Sequence, residues 1–322
     1  MTAMFNSWKF AAIVLGTSVV ISPAHALTFN NEFSSLSNLS GATQSSWLTD
    51  ISTAEAAFTS VFSDPISINI SWNADPNLSS VGASASYINL ENWSALKTAA
   101  VKDATSAGDF TAIGTGGSLN GSGPNNNASL YITTADAKAL GLVPANAAAS
   151  DGTITINSSL VFNGSNAVAG LYSFIGTAEH EISEVMGRIG LSGGSVSGVA
   201  GGQYSLLDAF SYSGAGSRSP GNGSGNYFSI DGGKTLLKAY NNQQGPGGDS
   251  RDWASSATPD QFDAFGTPGQ AYAGLSAIDV EELDVLGYNL ITPVPEPETY
   301  AMLLAGLGVL GFSARYRKHT DA

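Results

Sequence analysis

The run His180-Glu181-x-x-Glu184 holds the densest reactive chemistry in this 322-residue chain. Residues four apart stand on one face of an α-helix. The His180 imidazole and the Glu184 carboxylate would therefore converge, and both groups can ligate a divalent ion. Glu181 lies about 100° round the helix from His180, placed to take a proton from water rather than to hold metal. Metal-assisted hydrolysis is the chemistry this spacing suits. A solvated polar helix face is the other reading of the same residues. Glu179 falls beside apolar positions, off the His180 face, and reads as a bystander.

Composition narrows the ligand set. Cysteine is absent, which excludes disulfides, thiol catalysis and thiolate metal sites. Of three histidines, His25 precedes the expected export cleavage and His319 lies in the tail, so His180 is the histidine of the body. Carboxylates have to complete any site. Residues 185–207 contain no Asp, Glu or His, which makes Asp208 the first downstream candidate for a third ligand. One imidazole with two carboxylates would bind zinc, or manganese as a harder ion. Asp231, before Gly232-Gly233, reads as turn chemistry, with a calcium loop as the alternative. The formal net charge of -14 argues against a nucleic-acid surface.

The elements that position these residues alternate without a regular repeat. Apolar spacing predicts a helix over 45–62 carrying Trp47, Ile51 and Phe58, stopped by Asp64-Pro65. Alternating Ile66, Ile68, Ile70 and Trp72 predict a strand. Strands are also expected at 85–90, 129–132 and 153–157, with helices from Trp93 to Val101 and over 135–140. Residues 112–127, rich in Gly, Ser and Asn, read as a mobile surface excursion. The reactive run falls on a helix over 167–186, whose stripe of Leu171, Ile175, Ala178, Ile182 and Val185 is apolar. A hairpin is expected at 227–233 and a last helix at 276–286. This pattern predicts an α+β domain, a small twisted sheet backed by helices.

Both ends carry targeting signals. Lys9, an apolar run over 10–21 and Ala24-His25-Ala26 read as a secretory signal peptide cut by signal peptidase after residue 26. The body would then span 27–290, with a tail at 291–322. In that tail Pro293-Val294-Pro295-Glu296-Pro297 precedes an apolar segment at about 299–314, tipped by Arg315, Arg317 and Lys318. This order resembles the PEP-CTERM sorting signal of Gram-negative bacteria. The resemblance implies that Pro295, Glu296 and Pro297 are recognised by an exosortase-type processing enzyme at the inner membrane, with delivery to the outer surface or extracellular matrix. A short apolar stretch with basic residues behind it fits transient membrane contact.

His180-Glu181 also opens the zincin signature His-Glu-x-x-His, with Glu184 in place of the second histidine. With the first helix and strand, Ala139-Leu140-Gly141-Leu142, Asp151-Gly152-Thr153-Ile154, Leu207 to Tyr212 and Asp279 to Gly287, it resembles an uncharacterised metalloprotease-like family of PEP-CTERM proteins. That family is distantly similar to metzincins. The resemblance implies one zincin-like domain with an active-site helix, and peptide hydrolysis of a protein substrate. Two departures stand out. The metzincin third-ligand position is Gly190 here, and the body's one methionine, Met186, lies within the helix, not in a methionine turn. Three readings follow: an exported metalloendopeptidase-like hydrolase with His180, Glu184 and Asp208 on metal and Glu181 as base; a non-catalytic surface or matrix protein whose metal site has decayed; or a calcium-stabilised binding module.

Overall fold

A computed structural model describes residues 26–241, 248–255, 258–272, 274–291 and 306–307. Lys9, Ala24, His25, Pro295, Glu296 and Pro297 lie outside the described residues, as does the apolar tail segment except for Gly306 and Leu307.

The fold is α+β. Its main sheet contains β1 (Thr28–Glu32), β2 (Ser67–Ala74), β3 (Gly82–Ser86) and β6 (Gly152–Ile156), in the order β1-β2-β6-β3. The first three neighbours are parallel, and β3 adds an antiparallel edge. Burial alternates along β2, with Ile68, Ile70 and Trp72 inward, as expected for a strand with one packed face. Each such side chain contributes about 1.5–3 kcal/mol by leaving water.

Helix α1 (Gly41–Thr59) begins at Ser40, whose hydroxyl accepts from the Thr43 N–H. It buries Trp47, Ile51, Ala54 and Phe58, the face anticipated from their spacing. Helix α5 (Phe174–Val185) packs against α1, where Trp47 meets Phe174 with ring centroids 4.7 Å apart. On its other side α5 lies on β6 and β3.

Three expectations need correction. The reactive helix starts at Phe174, not 167, because Ser173 caps it: the Ser173 hydroxyl accepts from the Gly176 N–H at 3.1 Å. The strand expected over 85–90 is two strands, since the chain leaves β3 at Ser86 and enters β4 (Ile88–Asn92) to pair with β5 (Ser129–Thr133). Residues 112–127 are pinned, not a free excursion. Ala112, Ser118 and Leu119 are buried, and the Ser118 hydroxyl donates to the Ser229 carbonyl at 2.7 Å. Composition misled there because two apolar side chains, Ala112 and Leu119, suffice to seat the segment in the core, and backbone and hydroxyl bonds secure the rest.

Helices α2 (Trp93–Asp103) and α4 (Thr134–Ala139) pack on the β4–β5 pair, α3 (Ala107–Ile113) packs on α2, and β7 (Val161–Phe162) and β8 (Tyr172–Ser173) form a short parallel pair. Beyond α5, short strands β9 (Ser211–Gly214), β10 (Ser217–Arg218), β11 (Tyr227–Phe228) and β12 (Lys238–Ala239) form an antiparallel sheet. Helix α6 (Ala277–Leu286) closes the described body with a Ser276/Asp279 capping box. One buried apolar cluster runs from Leu27 to Tyr288.

Candidate metal centre

Helix α5 presents His180, Glu181 and Glu184 together, with one donor atom of each lying within 4.8 Å of the others. The face is not solvated: Glu181 and Glu184 are 5% and 7% exposed. Such depth requires close approach between helix and sheet. A Cβ on Gly82 would stand 2.5 Å from Glu181 Oε1, and one on Gly152 would stand 2.6 Å from a Val185 methyl. These glycines let α5 settle onto β3 and β6.

The His180 ring is oriented from behind. Its Nδ1 lies 2.8 Å from the Gln261 carbonyl, so the Nδ1–H donates there and Nε2 faces inward, as in many metal-binding histidines. Nε2 is 3.4 Å from Glu184 Oε1 and 3.5 Å from Asp252 Oδ1. Glu184 Oε2 accepts from the Ser84 hydroxyl on β3. Arg188, one turn on and fully buried, donates to Asp252 Oδ1 through NH1, to Ser183 Oγ through Nε at 2.7 Å, and stacks over Phe262. Its NH2 lies 3.7 Å from Glu184 Oε1.

Charge decides the protonation states. Burial pushes Glu184 up, but His180, Arg188 and Ser84 overcome it and hold this carboxyl ionised, at about 2. Burial and then the Glu184 charge drive Glu181 the other way, well above the usual carboxylate range. Burial and Arg188 push His180 down, but Asp252 and Glu184 outweigh them and raise it to about 9. Asp249, buried and facing Glu184 and Asp252, rises to about 6. Without another cation, a proton on Nε2 answers the two carboxylate oxygens around it. One imidazole and two converging carboxylates are a donor set of the kind that could hold a divalent ion.

A cleft of about 240 Å³ opens onto this centre, lined by Gly82, Tyr172, Thr177, His180, Glu181 and Gln261 among others. Phe265 and Tyr272 add aromatic walls.

Asp208 is held elsewhere. Its Oδ1 accepts from Arg251 Nε at 2.8 Å and lies 2.7 Å from NH2, while Oδ2 accepts the N–H groups of Leu191, Ser192 and Ser205. It does not join the trio, and its lone pairs are spent on folding the loop after α5. The same arginine accounts for Gly190: a Cβ there would stand 2.2 Å from Arg251 Cγ, so the metzincin ligand position is filled from across the loop. Asp231 caps its turn, accepting from Ser229, Lys234 and Thr235. Glu179, read as a bystander beside the apolar stripe, stays outside the trio; it is 1% exposed, and burial, opposed by a bond from Gln261, raises it to about 7.

Sequence reasoning missed Ser84, Asp252 and Gln261, and Arg188 as a partner. For Arg188 a signal existed, because it follows Glu184 by four residues. The others reach α5 from distant segments and left no local trace.

Residues 293–318 match the PEP-CTERM protein-sorting motif. The protein is therefore an exported one, marked for exosortase-type processing and sorting to the cell surface. No curated protein and no solved structure gives a significant match to the chain.

Proposed function

We propose that this exported, surface-sorted protein is a metal-dependent peptide hydrolase with a zincin-like site, in which His180 and Glu184 hold a divalent ion and Glu181 serves as general base. The observation that carries this reading is the convergence of the three donor atoms beside a cleft that His180 and Glu181 line. A bound zinc or manganese ion would polarise a substrate carbonyl and make water easier to deprotonate. The chain's own residues do the rest. Gln261 fixes the imidazole, Ser84 and Arg188 orient Glu184, and Glu181 accepts the proton of the attacking water and passes it to the leaving amine.

Support for a peptide substrate comes from β3. It is the edge strand of its sheet, and Gly82 lines the cleft, so an extended chain could pair along it. A protein substrate outside the cell, signal-peptidase cleavage after residue 26 and transient membrane contact through the tail belong to the same proposal.

The second reading, a non-catalytic surface protein with a decayed site, is favoured by Arg188, which already pairs with Asp252 beside the centre. Metal analysis of protein purified without chelators separates the two. Near-stoichiometric transition metal with peptidase activity lost in Glu181→Gln supports the hydrolase; a metal-free protein that takes up neither zinc nor manganese overturns it.

A further inference from the structure

Resting on the hydrolase reading above, we propose that Tyr172, Phe265 and Tyr272 select the substrate, forming a pocket for one aromatic or large aliphatic side chain of the peptide beside the bond that is cut.

The three rings line one cleft with His180 and Glu181. Gly176 makes its floor, because a Cβ there would stand 2.8 Å from Tyr272 Cδ2 and the ring rests on the first turn of α5. The Tyr272 hydroxyl accepts from the Thr267 N–H at 3.0 Å, which holds the far end of that ring. Tyr172 is set by its pairing with Val161 on β7, and a Cβ on Gly266 would stand 3.3 Å from Tyr172 Cδ1. Phe265 is 38% exposed, an aromatic side chain left open on the cleft wall. The two tyrosines are fixed before a ligand arrives, which lowers the cost of binding.

Size, position and charge define the occupant. The cleft of about 240 Å³ falls below the roughly 300–1,000 Å³ of sites that enclose a drug-sized ligand, and it suits one bulky side chain. Gly176 precedes His180 by one helical turn, about 6 Å along the axis. An extended peptide advances about 3.3 Å per residue, so the side chain held here belongs to a residue within about two of the scissile bond. No Lys or Arg is among the described residues that line the cleft, so an acidic side chain would meet Glu181, Asp260 and Asp263 without a cation. A basic one gains little, because Asp260 is engaged by Lys238 at 2.5 Å and by the Phe262 N–H, and Asp263 accepts from the Asp260 N–H. Uncharged bulky groups remain, and contact with aromatic rings favours them.

Peptides identical except for one phenylalanine, leucine, glycine, aspartate or lysine are titrated calorimetrically, with zinc present, into full-length Glu181→Gln, which holds them without turnover. Wild type with zinc or manganese is given the same set, and its cuts are mapped by mass spectrometry. The phenylalanine and leucine peptides should bind at least about ten-fold tighter than the others, and wild type should cut within about two residues of the bulky side chain. Adding Phe265→Ala or Tyr272→Ala should narrow that preference about 2- to 10-fold. Circular dichroism checks the fold, and the exposed Phe265 decides if Tyr272→Ala unfolds. Equal affinity across the set, or a preference that Phe265→Ala leaves intact, overturns the pocket. A preference that Phe265→Ala narrows, in a wild type that cuts none of the peptides, overturns the hydrolase reading instead and leaves the pocket standing.

Discussion

Glu181 and Glu184 share one turn of α5 yet titrate in opposite directions, because Glu184 collects His180, Arg188 and Ser84 while Glu181 meets burial and the Glu184 charge. Glutamine keeps the size and shape of Glu181 and removes only the carboxylate oxygen that would take the proton. Glu181→Gln should therefore leave thermal stability within about 0.5 kcal/mol and metal content unchanged, while peptidase turnover drops about 10²- to 10⁴-fold. Metal analysis beside a peptide-cleavage assay checks both halves. Glu184→Ala acts differently: it removes a ligand and strands Ser84 and His180. Its expected signature is weaker zinc and manganese binding by calorimetry, with about 1–3 kcal/mol lost in denaturant unfolding.

At the scale of elements, the centre depends on how α5 seats itself. Gly82→Val should push Glu181 and Thr177 away from β3, since the first added carbon already stands 2.5 Å from Glu181 Oε1 and 2.7 Å from a Thr177 methyl. Overpacking of this kind costs about 1–3 kcal/mol, and activity should fall further than metal affinity. The loop after α5 gives the contrasting case. Asp208→Asn leaves Arg251 buried without its charged partner, which costs about 3–5 kcal/mol. Because Asp208 stands outside the trio, the folded fraction should take up zinc as wild type does. Loss of zinc at full stability would reverse that placement.

Across the whole molecule, buried acids set a pH dependence. Asp64 and Asp103 share the Asn289 amide, and Asp284 accepts from Ser106. Burial is the largest cause in each, raising Asp64 and Asp284 to about 7 and Asp103 to about 6. The unfolded chain releases these protons near pH 4, whereas the folded protein keeps them, so the stability these acids contribute is full below about pH 4 and is lost as pH rises through about 6–7. Metal-free protein should show a melting temperature that declines from pH 5 to pH 8, and Asp64→Asn should flatten that decline. The tail is separable from this balance. Ile291 donates to the Val61 carbonyl at 2.8 Å and Leu290 bridges to Phe62, so the last backbone ties of the described body precede residue 293. A chain lacking residues 293–322 should melt as the full chain does and escape surface sorting, as fractionation of cells and medium would show.

What the sequence alone determined is local in origin. The α1 face from Trp47 to Phe58, the alternation in β2, the Ser276 start of α6 and the sorting motif all follow from spacing over a few residues, where geometry leaves little choice. The pairing of His180 with Glu184 was legible for the same reason. The tertiary structure decided what surrounds them. Gln261 reaches His180 from 81 residues away, and Ser84 reaches Glu184 from 100. Arg251 and Asp252 are adjacent in sequence, yet one takes Asp208 and the other Arg188 and His180. Chain order made Asp208 the natural third ligand, but order carries no distance. Which carboxylate meets the imidazole depends on how the loop after α5 closes, and that closure is set by long-range hydrogen bonds and buried charge pairs that leave no periodic trace in the sequence.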